Sequence, residues 1–237
     1  MRTITYAVVF SCAATVAAQQ PARPSPIHPD TPKAAAITKL SATTYRMGEI
    51  TLDTAARTLT VPGTINDATT LEFVATTEKG MKAYESAVSL HCNAVTFNAA
   101  MLLLGVDPAR SKPSKTQFDP VAPQGDAVDL TVSWTADGKT RTEPIESLLF
   151  DQRSKKTLPA GPWVYIGSQF YDTGEHRFYL AEQDGVLIGF MHGPQSVIDN
   201  PRGDALGGFG FYILNPNLGL KPGSQVTLTV KVIGKPK

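Results

Sequence analysis

Residues 91–105, HCNAVTFNAAMLLLG, form the segment that decides the fold class of this chain. Asn93 is a good helix N-cap and Gly105 suits the position just past a helix C-terminus, so the pattern predicts a helix at about 94–104. Its side chains are almost all apolar, which predicts a helix buried against a sheet. One buried helix in a chain dominated by strand patterns predicts an α+β, β-rich fold in which helix and sheet share a core.

Strand patterns occupy the chain on both sides of this helix. Apolar and polar residues alternate over residues 128–134 and again over 225–232, as expected for strands with one buried face. The Asp137-Gly138 pair is a tight-turn signal. We therefore expect antiparallel sheets and hairpins, and further hairpins are predicted over 50–61, 71–91 and 178–191.

The N-terminal part of the chain has the pattern of an export signal followed by a linker. Residues 1–18 combine Arg2, an apolar run and small residues up to Ala18, which predicts a signal peptide cleaved near Ala18. Residues 19–37 are proline-rich and predict a linker. Residues 38–237 then form a single globular domain, exported and periplasmic or extracellular. A lipoprotein with Cys12 as the lipidated residue is the alternative to a released form.

Composition and charge narrow the range of partners. The chain is 42% apolar and 18% charged, as in ordinary globular proteins. Its net charge of +1 falls to 0 when Arg2 is removed with the signal peptide. The mature chain therefore lacks the excess of positive charge that is typical of proteins that bind nucleic acid. No later segment is long and apolar enough to predict a transmembrane span. The predicted partner is an envelope ligand or protein whose identity the sequence does not reveal.

Loss of the signal peptide leaves Cys92 as the only thiol. One thiol cannot hold a four-cysteine iron–sulfur cluster, and no other cofactor is predicted. Period-two alternation over residues 81–92 predicts that Cys92 follows the apolar face of a strand, whereas His91 follows the polar face with Glu85. The alternative is a reactive Cys92, with its thiolate stabilised by the N-terminus of the following helix.

His192 is a second candidate for chemistry. It ends the apolar strand pattern of residues 186–191 and opens a polar loop that contains Asp199. A histidine beside carboxylates can act as a base or bind a metal ion, and zinc is the metal that suits such ligands. The candidate polar site consists of four residues: Glu85, His91, His192 and Asp199.

Several short segments are similar to those of a known family, namely 71–73 with 84–86, 99–105, 163–168, 185–192 and 222–223. Together, over about residues 45–233, they resemble the YdjY-type domain of uncharacterised exported bacterial proteins. The family has no established activity, so the resemblance implies a domain and no mechanism. Some members carry a ferredoxin-type label, which a chain with one mature thiol does not support.

Two functions are compatible with these features. The first is a non-catalytic exported binding or structural domain of the cell envelope, favoured because no catalytic motif is apparent in the sequence. The alternative is an envelope enzyme, metal-dependent in one version, that uses His91 and His192 with Glu85 and Asp199. Whether His91 and His192 converge depends on the fold.

Overall fold

A computed structural model describes residues 24–234. The first nine strands are β1 (Ile37–Lys39), β2 (Thr44–Met47), β3 (Ile50–Asp53), β4 (Thr58–Ile65), β5 (Phe73–Thr77), β6 (Ser86–Leu90), β7 (Asp126–Ala136), β8 (Lys139–Pro144) and β9 (Leu149–Asp151). The others are β10 (Lys156–Thr157), β11 (Trp163–Tyr165), β12 (Phe170–Asp172), β13 (Arg177–Tyr179), β14 (Val186–Gly189), β15 (Ile198–Asp199), β16 (Tyr212–Leu214) and β17 (Gln225–Val232). The described part of the chain has two α-helices, α1 (Ala94–Leu103) and α2 (Leu180–Asp184).

Eight strands close into a barrel in the order β4-β17-β7-β11-β15-β14-β5-β6, with β6 pairing back onto β4. Strands β1, β2 and β3 extend the sheet outward from β4, and β8 pairs with β7. The alternation predicted for β7 and β17 is present, since Leu130 and Leu228 point into the core while Thr131 and Thr229 are only partly buried. The apolar residues inside the barrel belong to one continuous core.

The barrel is mixed, so the prediction of purely antiparallel sheets is only partly right. Strands β5 and β6 pair in parallel, as do β14 and β15, whereas the other neighbours around the barrel are antiparallel. The hairpin predicted over 71–91 is therefore wrong. The chain between β5 and β6 returns through the 3-10 turn Ala83–Glu85 before β6 begins, so the two strands run in the same direction. An alternating pattern marks a strand but carries no information about the direction of its partner.

The other predicted hairpins had mixed outcomes. Strands β3 and β4 form the hairpin expected over 50–61, and β7 and β8 turn at Asp137 (φ 52°) and Gly138 (φ 73°). The hairpin predicted over 178–191 is wrong, because residues 180–184 form helix α2 and Gly185 ends that helix in the left-handed conformation. Strand β13 pairs instead with β12.

Helix α1 has the predicted ends but only one buried face. The Asn93 side chain accepts a hydrogen bond from Thr96 N at 2.7 Å, and Gly105 follows the helix with a φ of 83°. Phe97 and its neighbours on the inner face are buried. Leu102 and Leu103, however, are 42% and 48% exposed, so the expectation of a fully buried helix is wrong on the outer face.

Part of the predicted linker contacts the domain. Ile27 forms a parallel bridge to Arg177, and the imidazole of His28 stacks on Phe178 with 4.6 Å between ring centroids. Ala35 N donates a hydrogen bond to Thr96 Oγ1 at 2.9 Å. The predicted signal peptide, with its cleavage near Ala18, lies outside the described residues. Between residues 24 and 234, helices fall short of the length and apolarity needed to cross a bilayer.

Candidate functional site

His192 lies just beyond β14, with its side chain almost completely buried. Its φ of 57° is in the left-handed region, which is uncommon for a residue other than glycine. Its Nδ1 lies 2.7 Å from the carbonyl oxygen of Asp119. Because a carbonyl only accepts, Nδ1 carries a proton, and in the neutral tautomer with this proton Nε2 carries the lone pair. Among residues 24–234, Nε2 has no hydrogen-bond partner.

Asp199 lies beside His192 and is fully buried at the end of β15. One carboxylate oxygen accepts hydrogen bonds from Gly193 N at 3.0 Å and Ser196 Oγ at 3.3 Å, and the other accepts from Asn200 N at 2.8 Å. Burial raises the pKa of Asp199 to about 6, while the backbone hydrogen bonds and His192 act in the opposite direction. The structure thus brings together two of the four candidate residues.

A small cavity lies between these groups. Glu72, Gln117, His192, Ser196 and Asp199 are among the residues that line it. Its volume is about 10 Å³, which is room for one water molecule. Glu72 is partly exposed and Gln117 exposed, so these two side chains form the outer end of the cavity.

A pair of carboxyl groups marks this outer end. The carboxyl groups of Glu72 and Glu85 lie within hydrogen-bond reach, and burial followed by the charge of Glu85 raises the pKa of Glu72. Gln117 Nε2 donates to Glu72 Oε2 at 3.1 Å, and Lys82 Nζ lies 2.7 Å from Glu85 Oε1.

Two exposed aromatic rings pack on each other close in sequence to Gln117 and to the loop after His192. Phe118 has a φ of 60°, and its backbone N–H donates to the carbonyl oxygen of His192 at 3.0 Å. The Phe118 ring packs edge-to-face on Phe209 with 5.5 Å between centroids, and both rings are partly exposed to solvent. One hydrogen bond therefore joins two non-glycine residues in the left-handed conformation. Such strained residues cluster at functional sites.

The remaining candidate, His91, lies elsewhere. Its Nε2 is 3.1 Å from Thr64 Oγ1, and its backbone N–H donates to Pro62 on β4. Glu85 belongs to a 3-10 turn and not to a strand, so the period-two argument that placed it on one face with His91 is wrong. In the part of the chain that the structure describes, His, Cys, Asp and Glu do not form a group of three suited to a metal ion.

Cys92 packs against the apolar core just before α1. Burial raises the pKa of its thiol, and the charges of Glu182 and Glu78 raise it further. The N-terminus of α1 is already occupied, because Glu182 Oε2 accepts hydrogen bonds from Ala94 N at 2.7 Å and Val95 N at 3.3 Å. The helix thus stabilises the Glu182 carboxylate and not the Cys92 thiolate, contrary to the reactive-thiol alternative.

A second candidate site is a groove along the outer face of α1. Two cavities of about 270 and 290 Å³ adjoin there, since both are lined by Asn98, Phe170 and Tyr179. Tyr179 OH donates to Gly167 O at 3.0 Å, and Tyr165 OH donates to Asn98 Oδ1 at 2.7 Å. We call this surface the α1 groove.

Both tyrosines of the α1 groove remain neutral in the physiological pH range. Burial raises the pKa of Tyr165 to about 12, and it raises the pKa of Tyr179 as well. Each hydroxyl therefore acts as a hydrogen-bond donor and acceptor rather than as a base.

Sequence reasoning did not identify Glu72, Gln117 or Asp119 as site residues. Gln117 and Asp119 lie in a long loop, and Glu72 lies just before β5, so their distance along the chain from His192 hides the contact. Glu72 does belong to a segment that carried the family resemblance, which was the one available signal.

Comparison with known proteins gave a single family. The family model described as the YdjY domain matches residues 50–231, which confirms the resemblance seen in the sequence. Neither the curated proteins nor the solved structures contain a match to the chain.

Proposed function

The chain belongs to the YdjY domain family, and we propose that it is a non-catalytic, exported domain of the cell envelope that binds a glycan chain in the α1 groove. The observation that carries the proposal is the continuity of the groove. Two cavities of about 270 and 290 Å³ share lining residues, so the groove extends beyond either cavity alone. Concave surfaces with apolar walls and a few polar groups are the usual form of a ligand site.

The walls of the α1 groove suit sugar rings. Phe170 is 48% exposed while the Arg177 guanidinium lies 4.8 Å from its ring centroid, so the exposed part of the ring can pack on the apolar face of a sugar. Asn98 and the hydroxyl groups of Ser111 and Ser168 stand on the same lining and can pair with sugar hydroxyls. Leu102 adds an exposed apolar contact from α1.

The small number of charged residues along the α1 groove favours a neutral ligand. Of the described residues that line the groove, Lys33 at one end is the charged one. An anionic polymer would gain little from such a lining, whereas a neutral glycan would leave no charge unpaired. The enzyme alternative that uses His91 and His192 with Glu85 and Asp199 has less support, because His91 contacts Thr64 away from the cavity and a cavity of about 10 Å³ does not enclose a whole substrate.

The test is binding of soluble oligomers of N-acetylglucosamine, measured by isothermal titration calorimetry. We expect saturable binding by the natural chain and at least about fivefold weaker binding by Phe170→Ala, which corresponds to about 1 kcal/mol. Phe209→Ala is the matched control, since Phe209 is similarly exposed but is not among the described residues that line the groove. Absence of saturable binding, or equal weakening by both variants, would contradict the proposal.

A further inference from the structure

We propose that the cavity beside His192 is a second binding site, which takes the ammonium group of a primary amine. This inference is independent of the α1 groove. It rests on the hydrogen-bonding capacity, size, charge and rim of the cavity, none of which involves the groove residues.

The first observation is an unused acceptor. His192 is 2% exposed, and its Nδ1 is held by the carbonyl oxygen of Asp119. The lone pair of Nε2 then has no hydrogen-bond donor within residues 24–234. Buried polar atoms are nearly always paired, so an unpaired one in a cavity wall points to a missing donor. An ammonium group supplies three donors and no acceptor.

The size of the cavity agrees with this guest. A volume of about 10 Å³ holds one water-sized group, and an ammonium head group is close to water in size. A guanidinium or a quaternary ammonium group is too large for it. The lining also holds the carboxyl groups of Glu72 and Asp199, so a small cation would meet acceptors on more than one side.

The outer end of the cavity has more carboxyl groups than ammonium groups, which favours a cation as the guest. The Glu72 and Glu85 carboxyl groups repel each other at the outer end. Lys82 pairs with Glu85 and its charge also acts on Glu72, but one ammonium group faces two carboxyl groups, and the direct hydrogen-bond partner of Glu72 is the neutral amide of Gln117. A neutral hydroxyl or a water molecule would satisfy His192 Nε2 without relieving this repulsion. A cation does both.

The rim suits the carbon chain of an amine. The Phe118 and Phe209 rings pack on each other and are 39% and 55% exposed. Phe118 follows Gln117, which lines the cavity, and its backbone N–H donates to His192 O, so the backbone that carries this ring is held next to the outer end of the cavity. Aromatic faces attract both alkyl chains and cations.

The experiment is an NMR titration at pH 8 that follows the imidazole resonances of His192 in the full chain. The probe is ethylammonium chloride, and tetramethylammonium chloride is the matched control because it has the same charge but no N–H donor and does not fit. We expect a saturable shift of the His192 resonances with ethylammonium only. Comparison with the spectra of His28→Gln, His91→Gln and His176→Gln separates His192 from the other three histidines in the assignment.

Variants test the role of the carboxyl pair. Glu72→Gln keeps the shape and the contact with Gln117 but removes the charge, and we expect ethylammonium to bind at least about fivefold more weakly. His91→Gln is expected to leave ethylammonium binding unchanged, because His91 contacts Thr64 and not the cavity. An unshifted His192 resonance, meaning that the cavity holds water only, would overturn the proposal. Equal shifts with both cations, or full affinity in Glu72→Gln, would overturn it as well.

Discussion

Replacement of Gly63 by alanine should disrupt the pairing of β4 with β6, which closes the barrel. Gly63 lies on the inner face of β4 and pairs with Leu90 of β6. A Cβ built at this position would lie 2.8 Å from the carbonyl oxygen of Ser89 and 2.9 Å from side-chain carbons of Val88 and Leu90. Contacts this short force something to move, and the closest atom belongs to the backbone of the neighbouring strand.

The magnitude follows from opposing contributions. A buried methyl group adds about 0.8 kcal/mol, and alanine restricts the unfolded chain by about 0.5–1 kcal/mol relative to glycine. Overpacking costs about 1–3 kcal/mol. Separation of β4 from β6 also strains the bonds from His91 N to Pro62 O and from Asn66 N to Ala87 O, each worth about 1 kcal/mol. These contributions give a net loss of unfolding free energy of about 1–4 kcal/mol with a central value of about 2–3 kcal/mol, and the central value corresponds to about 4–12 °C in Tm.

The assay is thermal and urea unfolding followed by circular dichroism. Gly203→Ala is the matched control, because a Cβ at Gly203 meets only Leu206 Cδ1 at the ordinary contact distance of 3.7 Å. The Tm of this control should stay within about 2 °C of that of the natural chain. A Gly63→Ala variant as stable as Gly203→Ala would refute the reasoning, since the contact between β4 and β6 would then tolerate a side chain at residue 63.

Two further predictions concern ionisable groups. Glu182→Gln should lower the unfolding free energy by about 0.5–2 kcal/mol, because the N-terminus of α1 loses its anion. The same variant should speed alkylation of Cys92, because the charge of Glu182 helps to raise the pKa of the Cys92 thiol. Urea unfolding and iodoacetamide kinetics measure both effects, and equal behaviour of the exposed control Glu175→Gln would contradict them. Burial raises the pKa of Asp199 in the folded state from 3.8 to about 6. Between these two pH values the folded state binds more protons than the unfolded state. The stability that protonated Asp199 contributes is therefore lost as the pH rises through about 6. The unfolding free energy of the natural chain minus that of Asp199→Asn should therefore fall by up to about 3 kcal/mol from pH 4 to pH 7, and parallel pH profiles would show the prediction to be wrong.

The sequence was informative wherever structure depends on neighbours along the chain. The N-cap at Asn93, the left-handed residue after α1 at Gly105 and the turn at Asp137-Gly138 were all predicted, because each follows from the backbone preferences of the residues involved. The alternation in β7 and β17 likewise identified their buried faces.

The predictions failed where the answer depended on contacts between distant segments. Parallel pairing of β5 with β6 needed the path of the chain through the 3-10 turn at residues 83–85. The exposure of Leu102 and Leu103 needed the position of α1 relative to the sheet, since an apolar residue shows only that burial would be favourable.

The same distinction between local sequence and distant contacts applies to the candidate site. From its sequence alone the chain could be assigned to a β-rich domain with one principal helix and a histidine at a strand end, because these features are encoded in local periodicity and residue type. Only the tertiary structure placed His192 beside Asp199 and Glu72, while it left His91, just after β6, beside Thr64 of β4. Barrel closure decided this, because it joins strands that are far apart in sequence, and no local preference specifies which of them become neighbours.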